Sequence, residues 1–401
     1  MALIVQKFGG TSVANIDHIK NIVSLILKEK NQGNDVVVVV SAMAGVTNNI
    51  IKLCNEISNL DNENKLSEVD MALSTGEMVT ASLTSLALMQ QGVQAQSMLA
   101  WQLSITTNEN FGNAIVTDLN SDHIISLLKK NIIPVISGFQ GITSSSRMTT
   151  LGRGGSDTSA VLIAAKIKAD RCDIYTDVDG IFTSDPRLVH NAKHIPIISF
   201  EDMLEFSSSG AKIMHPRSIQ IAMRYNVNLR VLSSFSSNNN CTIITSGDQI
   251  MERKLITGIT SNSNLLEVEI INTRISLNEI IAQIIKHNIS IDFMMNNTKH
   301  DDFYNYKFLT SLTEKPKLEI ILKNLQISNY ETNSNVSLIS IIGYGIKNEY
   351  EITNQILEQL IINNIDVKLA QIFDTKFFIL VNELDNKKTI SLLHDFLNLS
   401  K

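Results

Sequence analysis

The chain has little cysteine, no clustered positive charge and no long apolar run, and each absence excludes a class of protein. Its three cysteines, Cys54, Cys172 and Cys241, are odd in number and widely spaced, with no Cys-x-x-Cys pair. Neither a disulfide framework nor a zinc ribbon is expected, and a reducing compartment fits. Lys and Arg number 34 against 40 Asp and Glu, a formal charge of −6. Without a sustained Lys/Arg run there is no electrostatic footprint for nucleic acid or for an anionic membrane surface. Anionic ligands must be held by local geometry instead. No apolar stretch approaches the roughly 18–20 residues of a membrane span, because Ser41 and Lys166 interrupt the two best candidates. At the start, Lys7 and Gly9-Gly10 cut short an apolar Ala2 to Val5, so no signal peptide is expected and the location is expected to be cytoplasmic.

What is present is a globular composition, 44% hydrophobic and 18% charged over 401 residues, enough for two or three domains. Leu3-Ile4-Val5, Val36 to Val40, Ile132 to Ile136, Ile174-Tyr175 and Leu229 to Leu232 read as buried strands. Between them, Ile16 to Lys30, Val69 to Gln91, Asp122 to Asn131, Asp157 to Ala169 and Phe200 to Tyr225 carry apolar residues at helical spacing. This alternation predicts an α/β fold, an αβα sandwich on a mostly parallel sheet, with ligands beyond the carboxyl ends of the strands. A Ser/Asn-rich stretch, Ser233 to Asn240, and then Gly247-Asp248 put the main boundary near residue 250. Residues 1–250 form the expected first domain. Two similar βαββαβ units follow at 265–334 and 335–401, and the echo of His287 to Ile291 in Asn363 to Val367 supports duplication. The second unit lacks its last strand, a place that a strand at 254–260 could fill.

Several loops carry chemistry. Lys7-Phe8-Gly9-Gly10-Thr11-Ser12 follows the first strand and precedes a helix, where a lysine and backbone amides can converge on phosphate. It reads equally as a simple turn, and it is not a Walker A loop. Ser41-Ala42-Met43-Ala44-Gly45-Val46-Thr47 is a second small-residue loop, open to the same two readings. Gly152-Arg153-Gly154-Gly155-Ser156-Asp157-Thr158 is more specific: a guanidinium among glycines at a helix start can fork onto a carboxylate. Asp173 to Arg187 reads as a strand, an Asp179-Gly180 turn and a returning strand. Gly210 to Arg217 adds Lys212 and His215 ahead of Pro216.

Taken with Gly76-Glu77, these motifs closely resemble the aspartate kinases (aspartokinases), amino acid kinases that carry tandem C-terminal ACT domains. The resemblance spans essentially the whole chain, with the motifs in family order. It implies transfer of the γ-phosphoryl group of ATP to the side-chain carboxylate of L-aspartate, giving 4-phospho-L-aspartate on the way to lysine, diaminopimelate, threonine and methionine. It casts Lys7, Asp157 and Lys212 as catalytic. It puts aspartate on Ser41, Thr47, Glu77, Arg153 and Ser156. The nucleotide falls to Lys7, Phe8, Gly9, Gly10, Thr176, Asp177, Asp179, Gly180, Arg187 and Lys212. Mg2+ is implied with ATP, although no dedicated protein cage is visible. The resemblance also implies a lysine or threonine effector at the ACT domains and a homo-oligomer, a dimer through those domains.

The sequence departs from the family where ACT domains commonly carry a Pro-Gly turn: Asn272 to Ser276 and Gly345 to Glu349 stand there instead. Ala370 to Lys376 likewise replaces a common Ser-Thr-Ser-Glu run. Feedback is therefore in question, while the catalytic motifs are intact. Two rivals are a different amino acid kinase and a catalytically silent amino-acid sensor. The joint presence of Lys7, Glu77, Arg153, Asp157 and Lys212 argues against both.

Overall fold

Five consecutive valines make the centre of the first layer: the strand Asp35–Val40 has every residue from Val36 to Val40 fully buried. β-Branched side chains suit a pleated surface covered on both faces. The structure, a computed structural model, describes residues 1–400 except 61, 212, 237–239, 251–253, 288 and 301–302, and describes 63 and 296–300 by backbone alone.

An eight-stranded sheet runs in the order Ile197–Ser199, Cys241–Thr245, Leu229–Ser233, Arg171–Thr176, Leu3–Phe8, Asp35–Val40, Ile133–Ser137, Ala95–Met98. Its pairs are parallel except Leu229–Ser233 with Cys241–Thr245. Val36, Val38 and Val40 share one apolar cluster with Ile19, Ile22 and Ile26 of the helix Ile16–Asn31 and with Ala81 and Leu88 of the helix Glu63–Gln90. The helix Gly155–Ile167 packs on the strands Leu3–Phe8, Asp35–Val40 and Arg171–Thr176. The mostly parallel α/β layer expected from the sequence is what forms.

Two sequence readings change. The stretch Phe200 to Tyr225 is two helices, Phe200–Ser208 and Pro216–Tyr225, because Pro216 cannot continue a helix but starts one well, with His215 as its N-cap. The turn after Thr176 does not return onto its own strand. Ile181–Phe182 pairs with His194–Ile195 instead, since both edges of Arg171–Thr176 are taken by Leu3–Phe8 and Leu229–Ser233.

Asp173, in the middle of that strand, is fully buried and gripped by Arg230 through two 2.7 Å hydrogen bonds. Arg171 also reaches it at 3.2 Å. A carboxylate satisfied in this way serves the fold.

The chain divides into two compact units. The second comprises Thr183–Lys193, Ser209–Ala211 and Lys254–Lys401, so the segment 183–193, read from sequence as part of the first domain, clusters elsewhere. Leu188, Val189 and Ala192 pack in one apolar cluster with Ile339, Phe377 and Leu393. Thr183 Oγ1 lies 2.9 Å from His394 Nε2, inside the same unit.

The unit holds two antiparallel four-stranded sheets, as expected for its two modules. One runs Ile291–His300, Phe303–Ser311, Leu265–Thr273, Tyr330–Asn333. The other runs Gly258–Asn262, Val336–Ile342, Lys376–Asn382, Leu369–Ile372. Gly258–Asn262 takes in the second sheet the place that Tyr330–Asn333 takes in the first, with Gly258 opposite Ile342 and Asn262 opposite Leu338. Among the described residues no helix is long and apolar enough to cross a membrane.

Candidate active site

Parallel strands place all their carboxyl ends on one edge of the sheet, so the loops after Phe8, Val40 and Ser137 converge there. They enclose, with the start of the helix Gly155–Ile167, a cavity of about 710 Å³. Lys7, Gly10, Ser41, Thr47, Glu77, Arg153, Ser156 and Asp157 all line it. Eight residues from four separated stretches of sequence are thereby brought together.

Lys7 Nζ lies 2.6 Å from Asp157 Oδ1, both side chains about nine-tenths buried. The lysine rides the last turn of a central strand; the carboxylate sits in the first turn of a 13-residue helix, where the dipole favours negative charge. The pair joins the phosphate-type loop to the arginine loop.

Glu77 comes from the middle of Glu63–Gln90. It reaches the pocket because Gly76 lets that helix touch the Ser41 loop: a side chain at Gly76 would begin 2.7 Å from Ala42 Cβ. Glu77 Oε1 accepts the Ala42 amide at 3.0 Å, whereas Oε2 is buried with no hydrogen-bond partner among the described residues. Burial pushes the Glu77 carboxyl up to about 7, against the pull of the Ala42 amide. Such an orphaned oxygen is a ready acceptor for an ammonium group.

Arg153 is exposed on the loop and pairs with no carboxylate among the described residues. Gly154 beside it has φ +66°, and a side chain there would start 2.2 Å from His215 Cβ. His215 caps the helix Pro216–Tyr225, its Nδ1 accepting the Arg217 amide at 3.3 Å; burial lowers its pKa.

Other assigned residues lie elsewhere. Phe8 is fully buried, stacked on Tyr175 with ring centroids 4.7 Å apart. The Gly9 amide donates to the Tyr175 carbonyl at 3.2 Å, so of the two glycine amides assigned to phosphate it is Gly10 that borders the cavity. Thr176 ends the strand next to that of Lys7, Asp177 follows it, and the two side chains bond each other at 3.0 Å. Gly180, at φ +113°, is packed on Thr242 and His194 and makes the turn that carries Asp179. Arg187 belongs to the second unit, exposed, with its guanidinium forked on Asp185. Lys212 lies outside the described residues. Asp70, which sequence reading passed over, lines the cavity and is 1% exposed. It accepts the amides of Gly112 and Thr150 at 2.9 and 2.8 Å and the Thr150 hydroxyl at 2.7 Å. No local motif in its helix marks it.

A cation-anion pair at the strand ends, an arginine between glycines and an orphaned carboxylate line one pocket of an α/β fold. The sequence pattern of the amino acid kinase family matches residues 2–233. The aspartokinase of Rickettsia felis is 48% identical over 404 residues, covering all of both chains. Aspartokinase 2 of Bacillus subtilis is 37% identical over 408 residues, covering 100% of this chain and 99% of that one. Among solved structures, E. coli aspartokinase III in complex with aspartate and ADP aligns with a TM-score of 0.82 at 25% identity, over 99% of this chain and 100% of that one. The chain therefore belongs to the amino acid kinase family and, within it, to the aspartokinases.

Proposed function

We propose that this chain transfers the γ-phosphoryl group of ATP to the side-chain carboxylate of L-aspartate, yielding 4-phospho-L-aspartate and ADP. One observation carries the reading: a single cavity unites the Lys7–Asp157 pair with Arg153 and Glu77. Each charge of the two substrates then meets its opposite. Lys7 and the Gly10 amide receive phosphate oxygens. Arg153 forks onto the aspartate α-carboxylate, Glu77 takes the ammonium, and Ser41, Thr47 and Ser156 supply hydroxyls along the molecule. Thr176, Asp177 and the turn through Gly180 flank the nucleoside, since their strand lies directly beside that of Lys7.

The attacking carboxylate has an ordinary pKa of about 3.9 and is already ionised at neutral pH, so no base is required. Asp157 orients Lys7 instead. Catalysis rests on alignment and charge compensation, which is what phosphoryl transfer demands. Among the described residues no three His, Cys, Asp or Glu side chains form a metal cluster. The Asp157 carboxylate, a hard oxygen donor at the cavity, would hold Mg2+ arriving on the nucleotide, with phosphates and water completing its shell. When bound, it would neutralise charge on the bridging phosphate oxygens. The two antiparallel modules of the second unit suit an amino-acid effector, lysine or threonine, and assembly of a homo-oligomer.

Glu77 makes the reading pH-sensitive. Its carboxyl, raised to about 7 chiefly by burial, is mostly protonated at pH 6 and mostly ionised at pH 8, and only the ionised form pairs with an ammonium. For the free enzyme, kcat/KM for aspartate rises by about tenfold across that interval, and Glu77→Gln flattens the rise. A wild-type profile already flat between pH 6 and 8 would remove this role. The proposal as a whole is tested by ADP release with MgATP and L-aspartate, repeated with lysine and with threonine. No aspartate-dependent release would favour the silent sensor.

A further inference from the structure

Arg153 sits on an exposed loop flanked by Gly152 and Gly154, both in the left-handed region at φ +75° and +66°. A loop so permissive in its own backbone must be positioned from outside if it is to meet a carboxylate within a fraction of an ångström. Two charged side chains do this from opposite ends of the local peptide dipoles.

The strand Met148–Thr150 leads into the arginine loop, and residues 112–114 run beside it, joined by the Ala114 amide to the Thr150 carbonyl at 2.9 Å. Asp70, almost fully buried, collects amides: Gly112 from one segment, Thr150 from the other, and the Thr150 hydroxyl on its second oxygen. Arg217, half-buried, collects carbonyls from the same two segments. Its Nη1 donates to Leu151 at 2.9 Å and its Nη2 to Ala114 at 2.8 Å. An anion on the amides and a cation on the carbonyls thus fasten both segments one and two residues before Gly152. Asp70 accepts two amides and a hydroxyl and Arg217 donates to two carbonyls, all in the two segments that hold the loop, which assigns both side chains to the loop and not to a substrate.

We propose that Asp70 and Arg217 are positioning residues that together set Arg153 for the substrate α-carboxylate, and so set the affinity for aspartate while leaving ATP largely untouched. The inference rests on the reading of Arg153 given above. A buried carboxylate replaced by an amide puts an NH2 against a donor, and a lysine cannot fork two carbonyls as arginine does.

The test is a kinetic cycle on the full-length enzyme with L-aspartate and MgATP, using Asp70→Asn, Arg217→Lys and Arg153→Ala singly and in pairs. Asp70→Asn and Arg217→Lys are each expected to raise KM for aspartate by about tenfold or more, with KM for ATP within about threefold. Added to Arg153→Ala, neither is expected to raise KM for aspartate further. Additive effects in the pairs, or equal rises in both KM values, would overturn the inference while leaving the Arg153 reading intact. An Arg153→Ala enzyme with unchanged KM for aspartate would overturn both. Should Asp70→Asn fail to fold, Thr150→Val removes only the hydroxyl that Asp70 accepts and is expected to give a smaller rise in the same KM, again absent from the Arg153→Ala background. No rise with Thr150→Val would count against the clamp.

Discussion

Lys7→Met lowers turnover by about 10²–10³-fold, the loss that follows removal of a preorganised group aimed at charge developing in the transition state. The same change leaves Asp157 buried without its cation, and breaking one side of a buried pair costs about 3–5 kcal/mol. Lost activity could then reflect a weakened fold. The double variant Lys7→Met/Asp157→Asn separates the two effects, because it leaves no buried charge behind. Thermal unfolding recovers most of the single variant's loss, while turnover recovers none of it. Turnover restored together with stability would mean that Lys7 serves the fold alone.

The second large effect belongs to Arg153. Two charge-assisted hydrogen bonds to a carboxylate, each worth about 1.5–3 kcal/mol, correspond to a fall of about 10²–10⁴-fold in kcat/KM for aspartate when Arg153→Ala removes them. The substrate supplies its own control. β-Alanine keeps the ammonium and the reacting carboxylate but lacks the α-carboxylate. The wild-type enzyme is expected to discriminate strongly between aspartate and β-alanine, and Arg153→Ala to discriminate hardly at all. Equal discrimination by both enzymes would assign the α-carboxylate to another residue.

Much of the first unit was legible because its strands are unbroken apolar runs. Val36 to Val40 can be buried on both faces only in a covered, mostly parallel sheet, and the pocket loops follow directly from where such strands end. The hairpin after Thr176 was misread because local sequence does not say that both edges of Arg171–Thr176 are already occupied. The resemblance casts Gly9 on phosphate, whereas its amide is engaged by the neighbouring strand at Tyr175. Asp173 is neutralised by Arg171, two residues away, and by Arg230, which is distant in sequence and which its own strand does not reveal. Asp70 was passed over for the converse reason, since nothing in its helix reveals the amides of Gly112 and Thr150. The segment 183–193 carries Leu188 and Val189, whose partners arrive some 150 residues later in the chain. Apart from the helix break at Pro216, which is local, each misreading is a long-range contact; each success is a local pattern.

The central claim is that the acceptor is a carboxylate, so the product must be an acyl phosphate. The most direct measurement is a hydroxylamine trap in a reaction containing MgATP and L-aspartate, with hydroxamate and ADP counted together. The expected result is one aspartyl hydroxamate for each ADP, lost in parallel with Lys7→Met and Arg153→Ala. ADP released without hydroxamate would show phosphoryl transfer to water or to another acceptor, and would contradict the assignment.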